Sequence, residues 1–395
     1  MEHVMNIGKR EMSALLVLVT LIASAGQRAT SAEREANHGE FNYTGDVVVL
    51  PLTEQNMQPR VAVDIGDGEQ YEFIVDTGAS VNVIDSHIAE EQGYEVIAET
   101  EIGAPGGPQI PANIVKVPIA HVGDATIIDA EFVTMDISGF SRGMTQGVLG
   151  LGLFRDHLLT FDQSAGEIRV SRESLSADDQ GVLPYDEFSE LIQIDVDIAG
   201  IRVASHIDTG AMGSFMLPDD KADSLPLQAP PESGGKARLV GGSREIKHAK
   251  LDGTIQFAGL SYEDPKIAFM KPAPEYGNIG SRVLGELVVS VDQKNHLIGF
   301  QKSTNKVAAT SGNKPRRLGV GFQGMPGGSI LTIASVEPGS LGEQAGFAEG
   351  DILLSLNDKP TEQYDMPELG HLIGGATPLS FSIERDGVLK TIEVP

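Results

Sequence analysis

The chain contains no cysteine and no tryptophan, and aromatic residues make up only 5% of its 395 positions. Without cysteine there is no disulfide framework, no catalytic thiol and no thiolate metal site, so stability has to come from packed cores. Basic residues are also scarce: 29 Lys and Arg stand against 56 Asp and Glu, a formal charge of −27. That balance argues against nucleic acid or an anionic membrane as partner. The nine histidines are scattered and form no His-Glu-x-x-His helix, and no Gly-Asn-Ser-Gly-Gly elbow occurs, which argues against the zinc-hydrolase and trypsin-like serine-protease schemes. No metal or cofactor is expected. Gly319, Gly321 and Gly324 have the spacing of a dinucleotide fingerprint, but no βαβ pattern or acid on a second strand accompanies them.

Long apolar runs are equally rare. The one candidate, Ala14 to Ala23, follows Lys9 and Arg10 and leads into Ala23-Ser24-Ala25, a small-residue cleavage pattern. It is shorter than the roughly 20 residues a helix needs to cross a bilayer. Residues 1–25 are therefore expected to be a signal peptide of a periplasmic or secreted protein, with no stable membrane span in the mature chain.

Against this background, one stretch stands out. In Phe73-Ile74-Val75-Asp76-Thr77-Gly78-Ala79-Ser80 an apolar strand runs directly into an acid, a hydroxyl and a glycine. A carboxylate at the end of a buried strand is costly unless it is paired, hydrogen-bonded or used. Alone, Asp-Thr-Gly is equally a strand ending in an Asx turn. The phrase returns, however, at His206-Ile207-Asp208-Thr209-Gly210-Ala211. Other landmarks keep step with it. Gly147-Val148-Leu149-Gly150 and Arg282-Val283-Leu284-Gly285 end 74 and 77 residues after their acids, and Phe161-Asp162-Gln163 and Val291-Asp292-Gln293 place Asp162 and Asp292 at offsets of 86 and 84. Equal spacings are the mark of internal duplication. Asp162 and Asp292 themselves read as β-turn residues, and His206 as a hydrogen-bonded structural histidine at a strand edge.

With these paired motifs, residues 45 to 303 resemble the aspartic proteases of the pepsin and retropepsin type. The resemblance implies a mainly β fold of two pseudo-symmetric lobes, a duplicated acid-protease barrel, with Asp76 and Asp208 as catalytic dyad. Two such carboxyls cannot both ionise easily, so one holds a proton; the pair then hydrolyses a peptide bond through an activated water. By the same resemblance Thr77 and Thr209 bond across the lobe interface, Gly78 and Gly210 let the backbone pass under the acids, and Ser80 supplies a hydroxyl to its acid. The second lobe departs from the pattern, because Met212 stands where that hydroxyl belongs. Glycine-rich stretches at Gly106-Gly107 and Gly241-Gly242 are the two flap candidates, an arrangement nearer to retropepsin than to pepsin.

The plan along the chain follows. After the signal comes a polar tether, 26–44; then lobe 1, 45–172; a linker, 173–186, with a hinge at Asp178 to Gly181; lobe 2, 187–303; and a small polar linker, 304–315. The hairpin through Gly66-Asp67-Gly68 delivers Asp76, and Ser86 is expected to cap a short helix ending at Gly93. Residues 316–395 resemble a PDZ domain, on Arg316 to Phe322, Ala345-Gly346-Phe347 and Gly350 to Asn357. That resemblance implies that Leu318, Gly319, Val320, Gly321 and Phe322 receive the C-terminus of a peptide, beside a helix near 367–373. The expected partners are peptide or protein substrates and a PDZ ligand with a free C-terminus. A rival expectation is a non-enzymatic peptide-binding sensor or adaptor that keeps the fold.

Overall fold

A computed structural model describes residues 16–18, 22–24, 37–53, 58–104, 107–141, 143–186, 191–271, 276–303, 318–323, 331–336, 340–364, 369, 372–373, 378–385 and 387–394. The chain forms two compact units; the first extends to Lys306 and the second comprises Val307 to Pro395 together with the short segment 142–144. Among the described residues no helix is long and apolar enough to cross a membrane.

The first unit is almost entirely β and is built twice. In lobe 1, Arg60–Asp64 and Tyr71–Asp76 form the hairpin that carries the first acid. Its turn is fixed by Asp64, whose carboxylate accepts from the amides of Gly66 at 2.7 Å and Gly68 at 3.0 Å. Gly147–Gly150 then runs parallel to Phe73–Asp76, with Gly150 opposite Asp76, and antiparallel to Val83 and Ile84. Lobe 2 repeats the arrangement. Gln193–Ile198 and Ile201–Asp208 make the hairpin, and Gly277–Gly280 lies parallel to Ser205–Asp208 with Gly280 opposite Asp208. The strand partnering Asp208 is therefore Gly277-Asn278-Ile279-Gly280, not the expected Arg282-Val283-Leu284-Gly285. The latter is the short helix Ser281–Leu284 and its cap Gly285. Equal spacing misled here, because the apolar turn 282–285 follows the true strand within five residues and that strand carries an asparagine.

The lobes are joined by a six-stranded sheet. At its centre Leu158–Asp162 pairs antiparallel with Leu287–Asp292, and Thr160 meets Ser290 on the pseudo-two-fold, their hydroxyls 2.9 Å apart. The two Asp-Gln repeats close this sheet. Asp162 accepts from Ser164 and the Ala165 amide, Asp292 from the Leu175 amide and from Asn295, and Gln293 donates to the Leu151 carbonyl of the other lobe. Both aspartates are turn-locking residues. A single apolar core runs under both lobes, from Leu50, Phe73 and Phe154 to Ile207, Phe269 and Phe300.

The helix after Ile84 is Ser86–Glu91, but its N-cap is Asp85, which accepts from the His87 amide at 3.0 Å, rather than Ser86. Asp85 also accepts from the Ser138 amide, so its buried carboxylate ties two segments where a serine would tie one. The N-terminal pattern lies mostly outside the described residues. Two described stretches of it are extended: Leu16–Leu18 pairs with Ala237–Leu239 and Ile22–Ser24 with Glu101–Gly103.

In the second unit a sheet places Val320–Gln323 at one edge, next to Thr332–Val336, with Leu353, Phe381 and Val394 in its core. Of the expected groove helix, Leu369, Leu372 and Ile373 are helical, and the rest lies outside the described residues. Asp351, fully buried, accepts a fork of hydrogen bonds from Arg385 at 2.5 and 2.6 Å.

Candidate active site

Each hairpin ends its buried strand at an aspartate, and the two turns meet across the lobe interface. Asp76 is 1% exposed and Asp208 0%. Between them the threonines interlock. The Thr77 amide donates to Thr209 Oγ1 at 3.0 Å and the Thr209 amide to Thr77 Oγ1 at 3.1 Å, while the two hydroxyls donate to the carbonyls of Ile207 and Val75 at 2.7 and 2.8 Å. Four hydrogen bonds around two buried hydroxyls leave the loops little freedom to drift apart. Gln58 adds a fifth tie, donating from lobe 1 to the Gly210 carbonyl at 2.5 Å.

The glycines are dictated by space. A Cβ on Gly78 would stand 2.8 Å from the Asp208 carboxyl carbon, and one on Gly210 would overlap the Asp76 carboxyl. Each glycine thus lets one lobe's backbone lie against the other lobe's acid, and both amides converge on Asp76. Asp76 Oδ1 accepts from Gly78 N at 2.7 Å and from Gly210 N, across the interface, at 3.1 Å. Asp208 Oδ1 accepts from Ala211 N at 2.8 Å.

The outer oxygens differ. Asp208 Oδ2 accepts from Asn278 Nδ2 at 2.8 Å, whereas no hydrogen-bond donor reaches Asp76 Oδ2 among the described residues. Ser80 does not give Asp76 Oδ2 the expected hydroxyl. Burial, and after it the charge of Asp208, pushes the Asp76 carboxyl well above the usual carboxylate range. His206 lies inside the sheet beside Asp208, fully buried, with Nδ1 3.9 Å from Asp208 Oδ2. Its strand is paired on both sides, so it is not at the sheet edge expected from the sequence. Burial lowers its pKa, with Asp208 and a hydrogen bond to the Thr77 backbone acting in opposition.

Two further hairpins, one from each lobe, approach each other. In lobe 1, Val96–Gly103 returns as Ile110–Val122; in lobe 2, Glu232–Leu239 returns as Gly242–Lys250 through the two-residue turn Val240-Gly241. The tips interlock. Ala104 of the first packs with Ala237, Leu239 and Ile246 of the second, while Val240 packs with Ile102 and Val148 of lobe 1. Gly241 adopts φ +83°, and a Cβ on it would lie 2.5 Å from the Pro108 carbonyl. Gly107 lies at the first tip beside Arg244, Gly242 opens the returning strand of the second, and Gly106 falls outside the described residues.

In the second unit, Gly319 has φ +66°, Leu318 is buried in the core with its carbonyl accepting from the Gly342 amide, and Val320, Gly321 and Phe322 lie on the edge strand. Asn278 and Gln58 are the site residues that sequence reasoning missed. Asn278 stands at the register that Val148 holds in lobe 1, an equivalence that only the strand pairing reveals, and Gln58 carries no signal in the sequence.

Comparison with known families agrees with this architecture. The aspartyl protease family model matches residues 61–153 and again 194–283, one match per lobe, and the PDZ domain model matches residues 332–384. The chain thus carries a duplicated aspartic-protease domain followed by a PDZ domain. No curated protein matches it.

Proposed function

We propose that the protein is an aspartic endopeptidase in which Asp76 and Asp208 act as one acid–base unit. The observation that carries this reading is the pair of buried carboxyls, each under a glycine of the other lobe and locked by crossed threonines, with burial and Asp208 pushing the Asp76 carboxyl above the usual range. Such a pair offers a base and an acid within reach of one scissile bond, which permits direct attack by water without an acyl-enzyme. The edges of both flap hairpins accept extended chain, as the pairings of 16–18 and 22–24 illustrate, so a peptide would be held by strand addition from both sides. The edge strand Val320–Gln323 would take a peptide C-terminus in the same way, recruiting substrate or regulating cleavage. On its N-terminal pattern the protein would act outside the cytoplasm.

The rival, a binding module without turnover, drew its only support from Met212. The hydrogen bond from Asn278 removes that support. A mass-spectrometric screen of a peptide library from about pH 3 to 8 tests the proposal, with full-length protein and the Asp76→Asn and Asp208→Asn variants. Cleavage by the wild type and silence from both variants is the expected result. A wild type that leaves every peptide intact would overturn it in favour of the binding module.

A further inference from the structure

The two halves of the dyad are not equivalent, and the difference lies one strand away from the acids. In lobe 1 the strand positions flanking the dyad are Ile74 and, opposite it, Val148, both buried and apolar. In lobe 2 the same register positions are His206 and Asn278. Met212, in the place of the absent hydroxyl, packs instead against the apolar cluster of Ala79, Val81 and Val148. Asn278, 6% exposed, reaches the outer oxygen of Asp208 from the neighbouring strand.

We propose that Asn278 is a positioning residue that replaces the missing hydroxyl, holds Asp208 as the ionised base and leaves the shared proton on Asp76 Oδ2. This inference rests on the peptidase reading above. Donors engage both oxygens of Asp208, through Ala211 and Asn278, which favours the charged form there. The two donors to Asp76 both fall on Oδ1, so its Oδ2 is the oxygen able to carry a proton. The other titratable and charged groups around the site are His206, neutral through burial; Tyr276, whose ring packs edge-on against His206 at 6.1 Å; and Arg244, whose pKa burial lowers and Tyr276 opposes.

The roles follow with atoms and charges balanced. Asp208 takes a proton from the water as its oxygen bonds to the scissile carbon, and Asp76 gives its proton to the carbonyl oxygen, forming a gem-diol. When the C–N bond breaks, Asp208 passes its proton to the leaving nitrogen, and Asp76 recovers one from the gem-diol hydroxyl. The starting protonation state is restored.

The test is the pH profile of kcat/KM for full-length wild type, Asn278→Val and Asn278→Thr on a peptide that the wild type cleaves. Valine is what lobe 1 already carries at this register, and threonine matches it in shape while keeping a donor. Without this donor the charged form of the pair loses a hydrogen bond, so the acid limb of Asn278→Val should move up by about one pH unit. On that limb its activity should fall about tenfold. Asn278→Thr should return part of both changes. An acid limb in Asn278→Val that coincides with the wild type overturns the inference, as does an equal shift in the valine and threonine variants, which would mark a packing effect. Either result leaves the peptidase reading standing, because the wild type still cleaves; failure of the wild type alone would remove that reading.

Discussion

Gly210 shows how little freedom the residues at the dyad have. A Cβ there would overlap Asp76 Oδ2, so Gly210→Ala must push that carboxyl out of line. Displacement of a reacting group by about 1 Å costs on the order of a hundredfold in rate. We expect Gly210→Ala to lose at least that in kcat, while its thermal unfolding stays cooperative; unchanged turnover would refute the close fit. Asp76 makes a second prediction at this scale. Its folded pKa lies above its unfolded value, so the folded state binds the proton more tightly, and that stability is present at low pH and lost as pH rises past about 4. The wild type should therefore lose melting temperature relative to Asp76→Asn as pH climbs from about 4 to 7, which parallel thermal melts would measure. Equal slopes would contradict the raised pKa. The acids, threonines and glycines were legible in the sequence because the motif occurs twice. Asn278 was not, since a polar side chain in an apolar strand gives no sign of which neighbour it will face until the register is known.

At the scale of elements, hairpins and short buried strands could be read from turn glycines and alternating burial, while pairings between distant segments could not. The strand beside Asp208 illustrates the limit. Arg282-Val283-Leu284-Gly285 has the better hydropathy, but Gly277–Gly280 has the backbone hydrogen bonds. The two hairpins whose tips meet were visible as glycine-rich stretches, yet the contact between those tips depends on Gly241 meeting Pro108 across the lobes. At φ +83° and with no room for a Cβ, Gly241→Val is doubly unfavourable, in backbone conformation and in space. The variant should part the tips and raise KM several-fold, with a smaller effect on kcat. Steady-state kinetics on one peptide checks this, and a loss confined to kcat would argue against a clamping role.

At the scale of the whole molecule, duplication explains most of what could be inferred before any coordinates. Two lobes, one acid from each, and a shared sheet in which Thr160 meets Ser290 are the folded form of the repeated spacings. The PDZ unit has an anchor of its own in Asp351 and Arg385. Burial alone would raise the Asp351 pKa, but the Arg385 fork and the Ala348 amide outweigh it and hold the carboxyl below its ordinary range. The stability it contributes is present above the unfolded value of about 4 and is lost as pH falls below it. Breaking the pair with Asp351→Ala should destabilise this unit by about 3 kcal/mol, read as earlier unfolding of the PDZ unit in a denaturant titration of the full chain. A midpoint unchanged from the wild type would show that the pair contributes nothing net.

The central claim is that two carboxyls from the two lobes function as one unit holding one proton. The most direct measurement is the pH dependence of kcat/KM on a single cleaved peptide, for wild type, Asp76→Asn and Asp208→Asn. A bell whose basic limb lies well above the usual carboxylate range, abolished by either substitution, is the predicted result. Cleavage that persists in either variant, or a profile with no basic limb, would contradict a shared-proton dyad.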